Sequence, residues 1–235
     1  MKIPVLYYHK IDFPKKEAVY KGLYVTPVQF KREIGLLKAL GYRTISPDEL
    51  LDFSSGRDIK TKKPILITFD DGFKNNFTNA FPVMKEAGFT GTVFISCDFI
   101  GKRGIRLEER ETVKEDFLDE EDIRVMARAG FYFGSHGKKH CFLDKLGEET
   151  LREELSGSKK CLEDILKMPV KFFSYPYGKY DERVVKLARE AGYIGAFTTN
   201  KGRIKKGDDP YKLKRIPVSG FNNLITFFYK IIFLQ

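Results

Sequence analysis

Short apolar runs rich in β-branched and aromatic residues alternate along the chain with segments whose apolar residues recur every three to four positions. The apolar runs are nearly continuous instead of alternating between apolar and polar, which is typical of parallel strands covered on both faces. This pattern predicts eight strands, at residues 3–8, 42–45, 65–69, 92–96, 131–134, 171–174, 193–198 and 213–218.

Helix signals lie between these strands. Residues 26–29 (TPVQ) provide an N-cap, a proline in the first turn and a capping box, and residues 46–49 (SPDE) repeat that start. Leucines spaced along 151–166 predict a long amphipathic helix, and 184–191 predicts another. Pro82 limits the helix after the third strand to about residues 82–87, because proline disrupts a helix interior.

Repeated strand–helix units predict an α/β fold with a parallel sheet, and seven or eight such units favour a closed barrel over an open sheet. No Gly-, Ser- or Pro-rich linker divides the chain, so we predict a single domain over residues 1–235. The segment 98–118 is highly charged and weakly periodic. We interpret it as a solvated loop inserted over the top of the barrel, in preference to a segment that grips a substrate.

Composition narrows the possible functions. The 42% hydrophobic and 31% charged residues exclude a disordered chain, and three cysteines without C-x-x-C spacing argue against a disulfide framework. The net charge of +10 favours anionic surroundings. No basic stripe with interleaved aromatic residues accompanies that charge, so we expect no nucleic-acid partner. Only three histidines are available for metal binding or proton transfer.

The ends of the chain bear on its location. The first residues lack the apolar core of a secretory signal, so we expect a cytoplasmic chain as given, or an envelope or extracellular one if a signal precedes it. The apolar stretch 224–234 is too short to span a bilayer and contains Lys230. We interpret it first as a terminal helix packed on the body and second as a peripheral membrane contact.

Two candidate catalytic or metal-binding residues follow the third predicted strand. In barrels of this kind, functional residues lie where strands end. Asp70 and Asp71 come directly after 65–69. Two carboxylates at the end of a buried strand are costly unless a cation or hydrogen bonds compensate them. Their side chains point in different directions, which allows two different roles; a helix N-cap with a turn glycine is the structural alternative.

Two further strand ends carry candidate residues. His136 and His140 follow 131–134 at a spacing that lets both imidazoles bind one divalent ion such as Zn²⁺. Gly137 lies where a helical zinc-protease motif would need glutamate. Residues 175–178 (YPYG) form a predicted tight turn whose backbone N–H groups can face the barrel mouth.

Residues 68–72 (TFDDG), the pair His136-x-x-x-His140 and residues 175–178 (YPYG), in that order, resemble the first three motifs of the polysaccharide deacetylases. These are the enzymes of carbohydrate esterase family 4, also called NodB-homology enzymes. The opening residues 4–11 resemble the branch that deacetylates poly-N-acetylglucosamine. The resemblance covers about residues 3–218 and implies a distorted (β/α)7 barrel.

The resemblance implies a metal-dependent hydrolase that removes N-acetyl groups from N-acetylated amino sugars of a polysaccharide or oligosaccharide. In this family pattern Asp71, His136 and His140 hold a divalent cation, most simply Zn²⁺, with Ni²⁺, Co²⁺, Fe²⁺ and Mn²⁺ as alternatives. Asp70 is the general base that deprotonates the attacking water.

The third motif supplies the substrate-facing turn. The resemblance implies that the backbone N–H of Tyr177 stabilises the oxyanion, with Tyr175 and Pro176 beside it. Aromatic residues near the predicted strand ends would stack on sugar rings; these are Tyr8, Phe73, Tyr175 and Tyr177.

The sequence departs from the family at four points. Gly137 and Cys141 replace the usual Ser or Thr and Pro of the second motif, Ser174 replaces an arginine of the third, and no histidine follows His140. The late histidine that many members use as general acid is therefore absent.

His9 is the remaining histidine, at the end of the first strand. We predict it to be the acid that protonates the leaving amine, with a structural histidine as the alternative. Arg215 either forms an ion pair that orients Asp70 or is a solvated surface arginine.

Two other functions remain open from the sequence. One is hydrolysis of a cyclic imide or ureide, which relatives with the same fold catalyse. The other is a catalytically weak carbohydrate-binding barrel, against which the presence of Asp70, Asp71, His136 and His140 argues.

Overall fold

Seven parallel strands close into a barrel in the computed structural model, which describes residues 1–107 and 111–233. In chain order the strands are β1 Val5–Tyr8, β2 Lys10–Ile11, β3 Tyr24–Val25, β4 Arg43–Thr44, β5 Pro64–Phe69, β6 Thr92–Ile95, β7 Tyr132–Ser135, β8 Phe172–Ser174, β9 Gly195–Lys201 and β10 Leu213–Pro217. The barrel order is β1-β10-β9-β8-β7-β6-β5, and pairing of β1 with β5 closes the ring. This confirms the predicted (β/α)7 barrel.

The remaining strands lie outside the ring. The predicted strand at 42–45 is present as β4, which pairs only with the start of β5. Strands β2 and β3 form a separate parallel pair that the sequence pattern did not indicate. All six residues of β5 are buried, because barrel core covers one face and helices the other. The end of β5 therefore projects its next residues into the barrel mouth.

Within the part of the chain that the structure describes, eight α-helices cover the barrel. They are α1 Pro27–Ala39, α2 Pro47–Ser54, α3 Phe81–Ala87, α4 Glu120–Arg128, α5 Glu148–Arg152, α6 Ser158–Leu166, α7 Glu182–Glu190 and α8 Leu224–Phe233. The predicted capping residues act as expected: the Thr26 side chain accepts from the backbone N–H of Gln29, and Ser46 forms a capping box with Glu49. A π turn at Glu153–Gly157 joins α5 to α6, so the predicted helix at 151–166 is one helical run.

The interpretation of segment 98–118 as a solvated loop holds for residues 101–107, which are exposed or half-buried, but it is wrong for residues 111–118, five of which are buried. Val113, Phe117 and Leu118 are buried, and the ring of Phe117 stacks on Phe73 with centroids 5.2 Å apart. The charges that made the segment look solvated are in part buried against barrel residues. Residues 108–110 of this segment lie outside the described residues.

The terminal helix α8 packs on the body through Phe227 and Ile231, as the first interpretation of this stretch expected. Its other large apolar side chains face outward, and Leu234, the last residue of the predicted stretch, lies outside the described residues. A peripheral membrane contact stays a prediction. None of the helices within residues 1–107 and 111–233 combines the length and apolar character needed to cross a bilayer.

Candidate active site

The turn after β5 separates the two neighbouring carboxylates. Asp70 continues the strand and donates its backbone N–H to the carbonyl oxygen of Tyr8 at 2.9 Å. Asp71 adopts a left-handed backbone conformation with φ of 75°. Such a conformation is unfavourable for a residue with a side chain and is typical of functional sites. The two side chains therefore reach different partners, as the sequence predicted.

Asp71 lies with the two histidines of the second motif. Its Oδ1 atom is 3.4 Å from Nε2 of His136 and 3.2 Å from Nε2 of His140. One potential ligand atom from each residue lies within 4.8 Å of the others. Oδ1 of Asp71 is buried and has no hydrogen-bond partner among residues 1–107 and 111–233. Because such an acceptor is costly to bury alone, this cluster fits a bound divalent cation.

Hydrogen bonds orient both imidazoles. Nδ1 of His136 is 2.6 Å from the carbonyl oxygen of Ser174, so Nδ1 carries the proton and the lone pair of Nε2 faces Asp71. Nδ1 of His140 is 3.1 Å from the hydroxyl of Tyr177, which itself donates to the carbonyl oxygen of His140. Both rings therefore present Nε2 as a metal ligand.

Glu154 supports the histidine loop where the family's hydroxyl is missing. Its Oε2 accepts from the backbone N–H groups of Lys138 at 2.7 Å and Lys139 at 3.1 Å. Gly137 has φ of 77°, and a Cβ there would lie 3.0 Å from this Oε2. A side chain at 137 is therefore disfavoured. The sequence analysis did not identify Glu154. The available signal was its position next to Leu155 in the predicted amphipathic helix at 151–166.

Arg215 and Asp70 form a buried ion pair. Nη1 of Arg215 donates to Oδ1 of Asp70 and Nη2 to Oδ2, both at 2.8 Å. The remaining donors reach the carbonyl oxygen of Thr198 and the hydroxyls of Thr68 and Ser174. Arg215 is fully buried, so of the two alternatives from the sequence the structure has the ion pair and not the surface arginine.

This pairing also accounts for Ser174, which stands where many family members have arginine. The guanidinium enters from β10 instead of from the end of β8, and Ser174 accepts one of its hydrogen bonds at 3.0 Å. Burial by itself would raise the pKa of Asp70, but Arg215 and His136 outweigh burial and hold the pKa below its ordinary value. Asp70 is therefore ionised at neutral pH.

His9 borders the same cavity as Asp70, Asp71 and the two metal-site histidines. The side-chain amide of Asn76, in a π turn before α3, donates to the carbonyl oxygen of His9 at 2.8 Å and fixes the backbone there. Burial lowers the pKa of His9, and Asp71 and Asp70 oppose that shift only in part. The lowered pKa leaves the imidazole mostly neutral at pH 7, so that only its minor protonated form, which is the stronger acid for the lower pKa, can donate a proton. The role of His9 stays a prediction.

The cavity, called the metal cavity below, has a volume of about 260 Å³. The turn Pro176–Gly178 forms part of its rim, with Tyr177 at φ of 58° and its ring stacked on Phe142. Tyr175 is buried, and its hydroxyl donates to the carbonyl oxygen of Tyr211.

The aromatic residues predicted to stack on sugars are mostly inside the protein. Tyr8, Phe73 and Tyr175 are buried and hold the barrel mouth together, whereas Tyr177 is half-buried. Strand ends near a cavity are also where a barrel core closes, which is why these rings pack inward.

A second buried charge cluster borders the same cavity as the histidines. Lys10 donates to the hydroxyl of Tyr24 at 3.0 Å and lies 3.2 Å from Glu115 and 4.0 Å from Glu111. Lys10 and Glu111 both border the metal cavity. These pairs dock segment 98–118 on the barrel rim, and the sequence analysis did not find them, because the partners are about a hundred residues apart.

Comparisons with known proteins bear on the family to which the chain belongs. The family model for polysaccharide deacetylase matches residues 57–196, more than half of the chain. YxkH of Bacillus subtilis (strain 168), which bears a provisional polysaccharide deacetylase name, is 30% identical over 218 residues, covering 93% of this chain and 72% of that protein. Poly-beta-1,6-N-acetyl-D-glucosamine N-deacetylase of Staphylococcus aureus (strain N315) is 24% identical, covering 92% of this chain and 75% of that protein.

Solved structures show the same architecture. BC0361, a polysaccharide deacetylase from Bacillus cereus, matches with a TM-score of 0.83 and 31% identity, over 98% of this chain and 69% of that chain. IcaB from Ammonifex degensii matches with a TM-score of 0.81 and 23% identity, over 96% of this chain and 94% of that chain, and supports the fold alone. The motifs at the barrel mouth, the extent of the family match and the likeness to BC0361 lead to one conclusion: the chain belongs to the polysaccharide deacetylase family.

Proposed function

We propose that this protein is a divalent-metal-dependent hydrolase that removes N-acetyl groups from N-acetylated amino sugars of a polysaccharide or oligosaccharide. One observation carries the proposal: Asp70, paired with the buried Arg215, and the Asp71–His136–His140 cluster border the same cavity. This arrangement provides a place for a cation and a separate, ionised carboxylate beside it. The Staphylococcus aureus relative named as a poly-N-acetylglucosamine deacetylase supports the substrate class.

Asp71, His136 and His140 would hold the cation. One carboxylate oxygen and two neutral imidazoles suit Zn²⁺, with Ni²⁺, Co²⁺, Fe²⁺ and Mn²⁺ as alternatives. A cation bound there supplies Lewis-acid polarisation of the amide carbonyl and lowers the pKa of a water ligand. The two orienting hydrogen bonds on the imidazole Nδ1 atoms support this ligand set.

Asp70 acts as the general base. Its carboxylate accepts a proton from the attacking water while Arg215, with donors on both oxygens, holds the carboxylate in position. The water oxygen then forms a bond to the amide carbon. Arg215 also keeps the carboxylate ionised, which a base requires before it can accept a proton.

The remaining steps use the turn at the rim and the first strand. The backbone N–H of Tyr177 donates a hydrogen bond to the oxyanion that forms on the carbonyl oxygen. His9 donates a proton to the leaving nitrogen as the carbon–nitrogen bond breaks, so that the products are acetate and a free amine on the sugar. The position of His9 on the cavity wall supports this assignment.

The replacement Asp70→Asn tests the base assignment, because it keeps the shape but cannot accept the proton. We expect acetate release from N-acetylglucosamine oligomers to fall by roughly 10²–10⁴ with metal content unchanged. Retained turnover at full metal occupancy would contradict the assignment. A cyclic imide is assayed in parallel as an alternative substrate. Hydrolysis of the cyclic imide by the unmodified protein, without acetate release from the oligomers, would favour the other hydrolase function.

The replacement His9→Phe tests the acid separately. We expect turnover to fall by roughly 10²–10⁴ while metal content stays that of the unmodified protein. Loss of the metal in this variant would identify His9 as part of the metal site or its support. Met168→Ala is a suitable control, because that exposed side chain borders a different cavity.

A further inference from the structure

Two of the three cysteines lie together, and neither borders the metal cavity. Cys97 begins the helical turn Cys97–Phe99 after β6, and Cys161 lies on α6. The thiol of Cys97 donates to the carbonyl oxygen of Ser158 at 3.1 Å, and it also forms a hydrogen bond with the thiol of Cys161. Because Ser158 and Cys161 are three positions apart on α6, they share one face of that helix. The fold therefore brings together two thiols that α4, β7 and α5 separate in the chain.

The two thiols differ in charge and in access to solvent. Cys97 is 6% exposed, whereas Cys161 is half-buried. The hydrogen bond with Cys97 lowers the pKa of Cys161, with help from the charge of Lys138, and outweighs burial and the carboxylates of Asp98 and Asp164. The same hydrogen bond, together with burial, raises the pKa of Cys97. The pair therefore combines the more accessible thiolate, the reactive form of cysteine, with a shielded thiol.

The turn that carries Cys97 also supports the loop of the metal-site histidines, residues 136–140. The backbone N–H of Cys97 donates to the carbonyl oxygen of Gly137 at 3.0 Å. The backbone N–H of Asp98 donates to the carbonyl oxygen of Lys138, also at 3.0 Å. A covalent bond from Cys97 to α6 would therefore connect the support of this loop to the helix layer around the barrel.

A buried cysteine by itself behaves as a small apolar core residue. This pair differs from that case in two ways. The second thiol is half-buried on a helix, and the two thiols contact each other instead of aliphatic side chains alone. A reactive cysteine next to a second thiol that can resolve it is typical of proteins that are oxidised reversibly.

We propose that Cys97 and Cys161 form a redox-modification site, which a low-molecular-weight disulfide such as glutathione disulfide converts into an intramolecular disulfide. Cys161 is the attacking residue and Cys97 is the resolving one. The bond ties the turn Cys97–Phe99 to α6 and stabilises the folded chain, and an excess of small thiol reverses it. It is a single reversible bond, not the disulfide framework against which the cysteine spacing argues.

Oxidation proceeds by two thiol–disulfide exchanges. The Cys161 thiolate attacks one sulfur of the small disulfide, whose S–S bond breaks, and one half leaves as a thiolate. The sulfur of Cys97 then attacks Sγ of Cys161 and releases the second half, which takes the proton of Cys97 and leaves as a thiol. The two protein sulfurs lose two electrons in total, and the small disulfide gains them.

The test incubates the folded, unmodified protein in glutathione buffers of increasing oxidised fraction, alkylates the free thiols and identifies linked peptides by mass spectrometry. We expect Cys97 and Cys161 to become linked while Cys141 is alkylated, and dithiothreitol to restore alkylation of all three. Complete alkylation of the three cysteines in the most oxidising buffer would overturn the proposal. A disulfide that includes Cys141 would overturn it as well.

Single variants test which thiol reacts first. In Cys97→Ala the mixed disulfide is not resolved, so we expect glutathione to stay attached to Cys161. In Cys161→Ala the remaining thiol of the pair is buried, so we expect Cys97 to stay unmodified. Cys141→Ala is the matched control, which removes the third thiol and still forms the bond. Glutathione on Cys97 in Cys161→Ala, with none on Cys161 in Cys97→Ala, would overturn the order. The link in the unmodified protein needs no substitution, so it is measured even where a variant fails to fold.

The thermal unfolding midpoint tests the stabilising effect of the bond. A link between Cys97 and Cys161 closes a long loop and limits the conformations of the unfolded chain. We therefore expect oxidation to raise the midpoint of the unmodified protein by several degrees and to leave that of Cys161→Ala unchanged. An oxidised protein with an equal or lower midpoint would overturn the stabilising effect. None of these measurements requires turnover, so their outcome is independent of the proposed function.

Discussion

Asp70 at the barrel mouth and Glu33 on α1 beneath α8 are both carboxylates with almost no access to solvent, 2% and 0% exposed. Their partners differ. Asp70 receives two hydrogen bonds from the Arg215 guanidinium. Glu33 receives hydrogen bonds from two neutral groups, the hydroxyl of Tyr8 at 2.9 Å and the amide of Gln29 at 2.8 Å.

The pKa values of the two groups move in opposite directions. Burial raises the pKa of Glu33 to about 7, and its hydrogen bonds and the charge of Lys230 lower it only in part. For Asp70 the guanidinium reverses the effect of burial. The comparison shows that hydrogen bonds from neutral donors do not keep the pKa of a buried carboxyl from rising, whereas a paired arginine holds it below its ordinary value. The base in the barrel therefore needs Arg215, and the structural carboxyl beneath α8 does not need a cation.

The strongest test of this difference is Arg215→Met, which leaves Asp70 buried without its cation. We expect the free energy of unfolding to fall by about 3–5 kcal/mol, because a single buried charge is left uncompensated. Turnover should fall by about a hundredfold or more, since the base is neither oriented nor kept ionised. Denaturant unfolding and acetate release measure the two effects.

The double variant Arg215→Met with Asp70→Asn is the matched control for stability. Because it removes both charges, we expect it to recover most of the lost free energy of unfolding while remaining inactive. A single Arg215→Met variant as stable as the unmodified protein would contradict the view that the ion pair is needed to bury Asp70.

A smaller effect is expected for Glu33→Gln. A carboxyl with a pKa of about 7 when folded and 4.5 when unfolded binds its proton more tightly in the folded state. Its contribution to stability is therefore complete below pH 4.5 and is lost as the pH rises towards 7, by about 3 kcal/mol in all. Glutamine does not titrate, so the variant should lack this decrease.

The measurement is the free energy of unfolding at a series of pH values between 4 and 8 for the unmodified protein and Glu33→Gln. As the pH rises, we expect the free energy of unfolding of Glu33→Gln to increase relative to that of the unmodified protein. Parallel curves would show that Glu33 does not carry the raised pKa and would remove the contrast with Asp70.

The smallest effect is expected for Ser174→Ala. This change removes one of the hydrogen bonds of Arg215 but leaves both bonds to Asp70. We expect a loss of about 1 kcal/mol of stability and less than about a tenfold loss of turnover. A loss as large as that of Arg215→Met would mean that Ser174, and not the ion pair, determines the position of the guanidinium.

The residues that the sequence identified for the site are those whose signal is local. Asp70 and Asp71 follow a continuous apolar run, and His136 and His140 lie four positions apart after another, so their placement followed from strand ends alone. Arg215 could not be decided in that way. It is 145 residues from Asp70, and nothing in its own neighbours distinguishes a buried arginine from an exposed one.

Segment 98–118 also shows that local sequence does not decide whether a charged residue is buried. Its composition indicated solvent, yet Glu115 is buried because Lys10 and Tyr24, from the start of the chain, compensate it. The charge pattern of a segment gives its proportion of charged residues but does not identify the residues that contact them in the folded protein. Burial of a charge depends on those partners, so composition misled here.

The sequence by itself determined the order of the barrel strands, the three motifs and hence the barrel mouth as the place of chemistry. These follow from periodicity and from residues adjacent in the chain. Only the tertiary structure decided the closure of β1 on β5, the burial of Arg215 and the contact between segments 18–23 and 217–221 beside the barrel mouth. Such features join residues that are distant in the sequence. They depend on close packing between those residues, which no local sequence pattern encodes.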